Sequence, residues 1–72
     1  MRRSNGAVVG TNVSNLIIAA GTDPHGAAQA TGLTTHEMNS RLSGAVEFTF
    51  SELVRAGGFF RVPASDLMEG TR

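Results

Sequence analysis

The sequence of 72 residues has no cysteine, tryptophan or tyrosine, and its six basic residues are all arginine. Without cysteine, the chain forms no disulfide bond and offers neither a thiolate nucleophile nor a thiolate ligand for zinc. The arginines balance six carboxylates, so the formal net charge is zero. A neutral chain of this kind is not held to nucleic acid or to anionic lipid by its net charge.

Long apolar segments are also missing from the sequence. The longest purely apolar run covers residues 16–20, whereas a membrane-spanning helix needs roughly 20 such residues. No apolar stretch follows the basic start Arg2-Arg3, so we expect no secretory signal peptide and a cytoplasmic location. A domain of this length buries a small core and has little room for a catalytic pocket. We therefore expect no enzymatic activity, no membrane association and no small-molecule substrate.

Helix-boundary signals recur along the chain, and the alternation of apolar and polar residues that is typical of strands is not sustained anywhere. Residues 1–9 predict a flexible arm, and residues 10–70 predict one domain. Within that domain, apolar residues at helical spacing predict a first helix over residues 11–20, with Thr11 as its N-cap. The chain is thus expected to be all-α.

Proline and glycine mark the limits of three further helices. A second helix is predicted over residues 24–31, because Pro24 is favoured at a first helical position. A later helix, the fourth, is predicted to fade near Gly58, since adjacent glycines are poor helix formers. Pro63 then opens a last short helix. Together with the helix described next, these signals predict a compact bundle of five helices.

Two helix starts carry the capping-box pattern T-x-x-E. Thr34 and Glu37 predict the start of a third helix over residues 34–43, and Thr49 with Glu52 predicts the start of the fourth. In each case an apolar residue before the cap and another after the box are spaced to pack together as a hydrophobic staple. Both starts are therefore predicted from local sequence alone.

The second and third helices are joined by a very short turn with Gly32 at its centre. Such a turn sets two helices at a steep angle, which is the helix-turn-helix arrangement whose second helix enters the DNA major groove. Met38 and Leu42 are spaced to anchor the third helix in the core. The outer face of this helix then carries short hydrogen-bonding side chains: Thr35, His36, Asn39 and Ser40.

Three stretches of the chain carry a family pattern: NVSNLIIAAG, AAQATGLTTHEMNSRLSG and FTFSELVRAGGFFRVPASDLMEG. They resemble the first helix, the helix-turn-helix and the closing helices of the Cro/phage-repressor (Xre-like) family, closest to its actinobacterial and actinophage members. The resemblance covers about residues 9–70. It implies a lambda-repressor-like fold of five helices and binding to a double-stranded DNA operator, often as a homodimer on a near-palindromic site.

The resemblance also assigns DNA contacts to the recognition helix and to the residues that follow it. Where the family often has a phosphate-contacting amide, at the start of the second helix, this chain has Pro24, and Glu47 puts a carboxylate near the duplex. Two partners are open for Arg41, a DNA phosphate or a carboxylate within the fold. The expected DNA-binding residues are Thr34, Thr35, His36, Asn39, Ser40, Arg41 and Ser43.

Many members of the family join the first helix to the recognition helix by an arginine–carboxylate pair. Ile17 and Leu42 stand at those two positions here, so we expect apolar packing in place of the ion pair. Ile17, Met38 and Leu42 are thus the expected core anchors of the recognition helix. Phe59 and Phe60 are expected in the core, with a dimer contact as the alternative for an exposed member of the pair.

The sequence leads to one principal interpretation and one alternative. We interpret the protein as a sequence-specific, Cro-like transcriptional repressor that blocks RNA polymerase by occupying its operator. The alternative, which the zero net charge favours, is a helix-turn-helix scaffold reused for protein–protein contact, as in an antirepressor or a host-directed phage protein. Arg2 and Arg3 form either a solvated tail or a minor-groove arm. His25 and His36 are eleven residues apart with no cysteine nearby, so we expect no metal site and no cofactor.

Overall fold

The computed structural model of the protein describes residues 5–70. Within this range the chain forms helices and no strand: α1 (Asn5–Ala19), α2 (Pro24–Thr31), α3 (Thr35–Leu42), α4 (Phe50–Phe60) and α5 (Ala64–Leu67). The predicted all-α class and the five helices are therefore confirmed. None of the described helices combines the length and the hydropathy that a bilayer crossing requires.

The first helix begins earlier than the sequence predicted. It starts at Asn5, so residues 5–9 are helical and do not belong to an arm, while residues 1–4 lie outside the described range. Thr11 is an interior residue of the helix and not its cap. Its hydroxyl donates a hydrogen bond to the carbonyl oxygen of Ala7 at 3.0 Å.

Packing, and not local propensity, explains this early start. Glycine and β-branched residues are poor helix formers, and they fill the first turns of α1. Val9, Val13 and Ile17 nevertheless recur at a spacing of four residues, and all three are buried. Burial of this apolar stripe against the other helices stabilises turns that would not form in isolation.

All five helices contribute side chains to one core. α1 packs against α2, α3 and α5, while α2 packs against α3 and α4, and α4 against α5. Thr31 is the one buried polar residue of the described range, and its hydroxyl donates to the Ala27 carbonyl oxygen at 2.9 Å. The core residues are Val9, Val13, Ile17, Ala27, Ala28, Met38, Leu53, Ala56 and Leu67.

The backbone of α1 lies directly against the C-terminal end of α3. A β-carbon added at Gly10 would lie 2.4 Å from the carbonyl oxygen of Leu42 and 2.8 Å from that of Arg41. Just after α3, Gly44 adopts a φ of +86°, and a β-carbon added there would lie 2.9 Å from the backbone of Ala7. Glycine on both sides of this contact therefore sets the distance between α1 and α3.

The fourth helix continues through its adjacent glycines, so the prediction that it fades near Gly58 was wrong. α4 ends at Phe60, and Arg61 closes it in the left-handed conformation with a φ of +61°. The chain then folds back so tightly that a β-carbon added at Gly57 would lie 2.5 Å from the Val62 carbonyl oxygen. Although glycine is a poor helix former, it occupies position 57 because no larger residue fits between α4 and the chain that folds back over it.

Both predicted capping boxes are present. The Thr34 hydroxyl accepts a hydrogen bond from the Glu37 N–H at 3.0 Å, and the Thr34 N–H donates to the Glu37 carboxylate at 2.9 Å. Thr49 and Glu52 repeat the arrangement at 3.2 and 3.0 Å. These bonds satisfy N–H groups that have no partner within the first turn of a helix. Local sequence therefore determines where α3 and α4 begin.

Candidate nucleic-acid interface

The helices α2 and α3 form a helix-turn-helix unit with a three-residue turn. The turn begins at Gly32, which adopts a φ of +77° that favours glycine. Immediately after it, the Leu33 N–H donates to the Ala28 carbonyl oxygen at 2.9 Å, which ties the turn to the end of α2. The two helices pack against each other along this unit. The geometry of the turn therefore fixes the orientation of α3 relative to α2.

Apolar residues hold the inner side of α3 on the rest of the fold. Met38 is fully buried, Ile17 is buried, and Leu42 is half-buried against the core. Ile17 and Leu42 line one small cleft between α1, α2 and α3. The three expected anchors thus lie on the core side, and the opposite side of α3 is left to solvent.

The outer face at the N-terminal end of α3 is polar and open. Thr34, Thr35, His36 and Asn39 are exposed, and Ser40 is half-buried. The four residues of α3 itself lie within one side of the helix, because positions one, four and five residues apart cover a limited arc of its surface. The structure therefore brings together five of the seven expected DNA-binding residues. Their side chains offer hydrogen-bond donors and acceptors of short reach.

His25, which was not among the expected site residues, joins this face. Its Nδ1 lies 2.8 Å from the hydroxyl oxygen of Thr35, so a side chain from the first turn of α2 reaches the first turn of α3. The family resemblance already placed the start of the second helix beside DNA. The contact itself depends on the angle between α2 and α3, which the sequence does not reveal.

Arg41 lies on the α4 side of α3 and is paired within the fold. Its Nε donates to Oε1 of Glu52 at 2.8 Å, and its Nη2 donates to Oε2 at 3.2 Å. The two side chains are each only 13% exposed. A third nitrogen, Nη1, donates to the Glu37 carbonyl oxygen at 3.2 Å. Of the two partners that the sequence left open for Arg41, the structure shows the carboxylate.

Ser43, the last of the expected site residues, is engaged locally at the end of α3. Its hydroxyl donates to the carbonyl oxygen of Ser40 at 2.9 Å and accepts from the N–H of Ala45 at 3.4 Å. The residue is exposed, but these two bonds orient its hydroxyl toward the backbone of the turn that follows α3. It stands apart from the polar face at the other end of the helix.

Negative charge predominates over positive charge in residues 5–70, which hold three arginines and six carboxylates. Arg41 is neutralised by its carboxylate partner, and Arg55 donates to the Thr31 carbonyl oxygen at 3.4 Å at the end of α2. Glu37 stands in the first turn of α3. The other three arginines of the sequence lie outside the described residues. The polar face of α3 is thus presented without a cluster of cations around it.

The two capping carboxylates have perturbed acidity. The hydrogen bonds from the Thr34 backbone and side chain lower the pKa of Glu37 below its ordinary value. For Glu52, partial burial acts to raise the pKa, but the hydrogen bonds from Arg41 and from the Thr49 backbone, together with the charge of Arg41, outweigh burial and lower it. Both carboxylates are therefore held in their ionised form by the groups that they cap or pair with.

The fold is expected to lose stability in acid through Glu52. Because its pKa is lower in the folded state than the ordinary value of 4.5, ionised Glu52 stabilises the fold at higher pH, and this contribution disappears as pH falls through the lowered pKa. Urea unfolding of the wild type and of Glu52→Gln should differ at pH 7 and converge once the pH has fallen below the lowered pKa of Glu52. A difference that stays constant across this range would contradict the role assigned to the ionised carboxylate.

Comparison with known proteins finds no match: no family model, no curated protein and no solved structure is significantly similar to the chain. Within residues 5–70 there is also no group of three or more histidine, cysteine, aspartate or glutamate side chains arranged to hold a metal ion. The functional argument therefore relies on the helix-turn-helix unit and on the residues that it presents.

Proposed function

We propose that the protein binds double-stranded DNA by placing α3 in the major groove of an operator. The observation that carries this proposal is the exposed polar face at the N-terminal end of α3, next to the tight α2–α3 turn. In helix-turn-helix proteins this end of the second helix contacts base edges. The protein is then a Cro-like repressor of the kind encoded by actinobacteria and their phages, and it acts in the cytoplasm by excluding RNA polymerase from the operator.

Sequence discrimination in this proposal comes from short side chains. Asn39 is suited to pair with the N6 and N7 atoms of adenine, and His36 is able to donate to an acceptor of guanine. The methyl group of Thr35 is suited to contact the methyl group of thymine. The hydrogen bond between His25 and Thr35 supports this assignment, because it orders a side chain that would otherwise rotate freely at the contact.

A second candidate function has an observation of its own in its favour. The described part of the chain has twice as many carboxylates as arginines, and Arg41 is already paired with Glu52. Binding to DNA draws much of its affinity from the neutralisation of phosphates by arginine and lysine. A helix-turn-helix unit with this charge distribution also suits contact with another protein. This alternative retains the α3 face as the interface and replaces DNA by a protein partner.

Fluorescence anisotropy with DNA from upstream of the coding sequence, measured over a series of salt concentrations, separates the two candidates. If each protomer neutralises two or three phosphates, log K should fall with log salt at a slope of about −2 to −3 per protomer. Two protomers bound to one face of the DNA should occupy half-sites about one helical turn apart. An absence of binding even at low salt would favour the protein-interaction alternative.

Substitution of the proposed base-reading residues should weaken specific binding without weakening the fold. Asn39→Ala and His36→Ala are each expected to lower affinity for the operator by about 1–3 kcal/mol, the range of a good base contact. Both side chains are exposed, so the thermal unfolding midpoint should stay nearly unchanged.

The control for this experiment is Ser65→Ala, an exposed polar residue on α5, which should bind the operator like the wild type. Affinity of all three variants for random-sequence DNA at low salt should barely change, because none of the substitutions removes a fixed charge. If Asn39→Ala and His36→Ala both retain wild-type operator affinity, the outer face of α3 does not read the sequence.

A further inference from the structure

The hydrogen bond between His25 and Thr35 joins two helix starts whose backbones are both held in place. At the start of α2, the Asp23 carboxylate accepts a hydrogen bond from the Gly26 N–H at 2.8 Å, and Pro24 has a fixed φ that suits the first helical position. At the start of α3, the capping box holds the first turn. The 2.8 Å contact between Nδ1 of His25 and the hydroxyl oxygen of Thr35 therefore has a defined geometry on both sides.

The Thr35 hydroxyl has one hydrogen and two lone pairs, and the contact with His25 uses one of these three. If Thr35 donates its hydrogen to Nδ1, its oxygen keeps only lone pairs, so it accepts from a further partner but does not donate. If Nδ1 instead donates to the oxygen, the hydroxyl hydrogen is free for a further partner. Both residues are exposed, so a ligand on the α3 face is able to reach this hydroxyl.

The protonation state of His25 selects between these two directions. A neutral imidazole has two tautomers, and Nδ1 accepts in one and donates in the other. Both directions are therefore open to the neutral ring. In the protonated ring both nitrogens donate, so Thr35 must accept from His25 and its hydrogen points elsewhere. Histidine changes its charge between about pH 5 and pH 8, so acidification through this range makes the Thr35 hydroxyl a donor toward a ligand.

The other charged groups around α2 are engaged in contacts of their own. α1, which packs against α2, has no charged or titratable residue. The carboxylates at the starts of α2 and α3 accept backbone N–H groups, the ion pair joins α3 to α4, and the remaining arginine of α4 donates to the far end of α2. The second histidine directly follows Thr35, so an experiment must separate its protonation from that of His25. These groups are Asp23, His36, Glu37, Arg41, Glu52 and Arg55.

We propose that His25 is a positioning residue that sets the base preference of Thr35 through this hydrogen bond. The inference rests on the proposed placement of α3 in the major groove. There, thymine O4 and guanine O6 are acceptors, whereas the amino groups of adenine and cytosine are donors. With His25 protonated, Thr35 donates and favours thymine or guanine. With His25 neutral, Thr35 also accepts from adenine or cytosine. The sequence preference of the protein should therefore change with pH at one base pair of each half-site.

Selection by the full chain from a duplex DNA library with a randomised central segment, at about pH 5.5 and at about pH 8, tests this proposal. Thr35→Val removes the hydroxyl but keeps the branched shape, so the base pair whose preference it changes is the one that Thr35 contacts. At that base pair, the ratio of thymine and guanine to adenine and cytosine should be about fivefold higher in the acidic selection of the wild type. This factor corresponds to a weak base contact.

Two histidine variants assign the pH effect to one ring. His25→Asn keeps a hydrogen-bonding group near the position of Nδ1 but does not titrate, so its base preference should be the same at both pH values. His36→Gln removes the titration of the other histidine. It alters the preference at its own base pair and should retain the fivefold change at the Thr35 base pair. Circular dichroism at both pH values checks that each variant keeps its helices.

The possible outcomes separate this inference from the proposed function. If no sequence is enriched at either pH, the proposed function is overturned, and this inference with it. If sequences are enriched but the preference at the Thr35 base pair is the same at both pH values, this inference alone is overturned. It is also overturned if His25→Asn retains the pH effect or if His36→Gln abolishes it.

Discussion

Replacing Gly10 with alanine is expected to destabilise the fold by about 3 kcal/mol, although alanine is the better helix former. The new β-carbon would lie 2.4 Å from the Leu42 carbonyl oxygen and 2.9 Å from the Leu42 carbonyl carbon. Both are backbone atoms, which cannot rotate away as a side chain does, so α1 must move off α3. Overpacking of this kind costs about 1–3 kcal/mol and sometimes more, which exceeds the gain in helix propensity. Urea unfolding measures the change.

The matched control is the same substitution at Gly58, which should act in the opposite direction. An added β-carbon there meets nothing within 4 Å, so Gly58→Ala should stabilise the fold by about 0.5–1 kcal/mol through helix propensity and the unfolded chain. A stabilised Gly10→Ala would show that α1 and α3 do not approach as closely as described.

Loss of the Arg41 side chain is expected to lower the free energy of unfolding by about 2–3 kcal/mol. Breaking a fully buried ion pair by removing one partner costs about 3–5 kcal/mol, and the 13% exposure of these side chains reduces that figure. Arg41→Ala also removes the bond to the Glu37 carbonyl oxygen. Guanidinium chloride would screen the pair, so urea unfolding at low ionic strength is the appropriate measurement.

A double-mutant cycle separates the ion pair from the capping box that shares Glu52. Glu52→Gln removes the charge but keeps an oxygen that is able to accept the N–H of Thr49. We expect Arg41→Ala and Glu52→Gln to be coupled by about 1–2 kcal/mol, because each single change leaves a charge or a donor without its partner. Additive effects of the two substitutions would mean that the pair contributes no stability of its own.

The helix starts that the sequence predicted correctly are those determined by a few neighbouring residues. The capping boxes at Thr34 and Thr49 need only a threonine, a glutamate three residues later and an apolar stretch. The stop at Gly32 needs only a residue that tolerates a positive φ. These interactions span four or five residues, so a single sequence contains all the information that they require.

The features that the sequence did not predict depend on residues far apart along the chain. α1 extends back to Asn5 because its valines are buried against other helices, and α4 passes through Gly57 because the chain folds back over that position. The sequence limited the partner of Arg41 to a DNA phosphate or a carboxylate within the fold, but it did not decide between them. Glu52 already had an evident role as a capping residue, and only the relative placement of α3 and α4 brings it to the guanidinium.

That shared carboxylate couples two regions that would otherwise open separately. Glu52 accepts hydrogen bonds from the N–H of Thr49, the N-cap residue of α4, and from Arg41 near the end of α3. A tilt of α3 that withdraws Arg41 therefore also disturbs the N-terminal cap of α4. Amide hydrogen exchange should therefore release the first turn of α4 and the last turn of α3 together, as one cooperative unit. The pair with Glu52 already holds the orientation of α3 at its C-terminal end. Binding of a partner to α3 therefore loses little conformational entropy in ordering this helix.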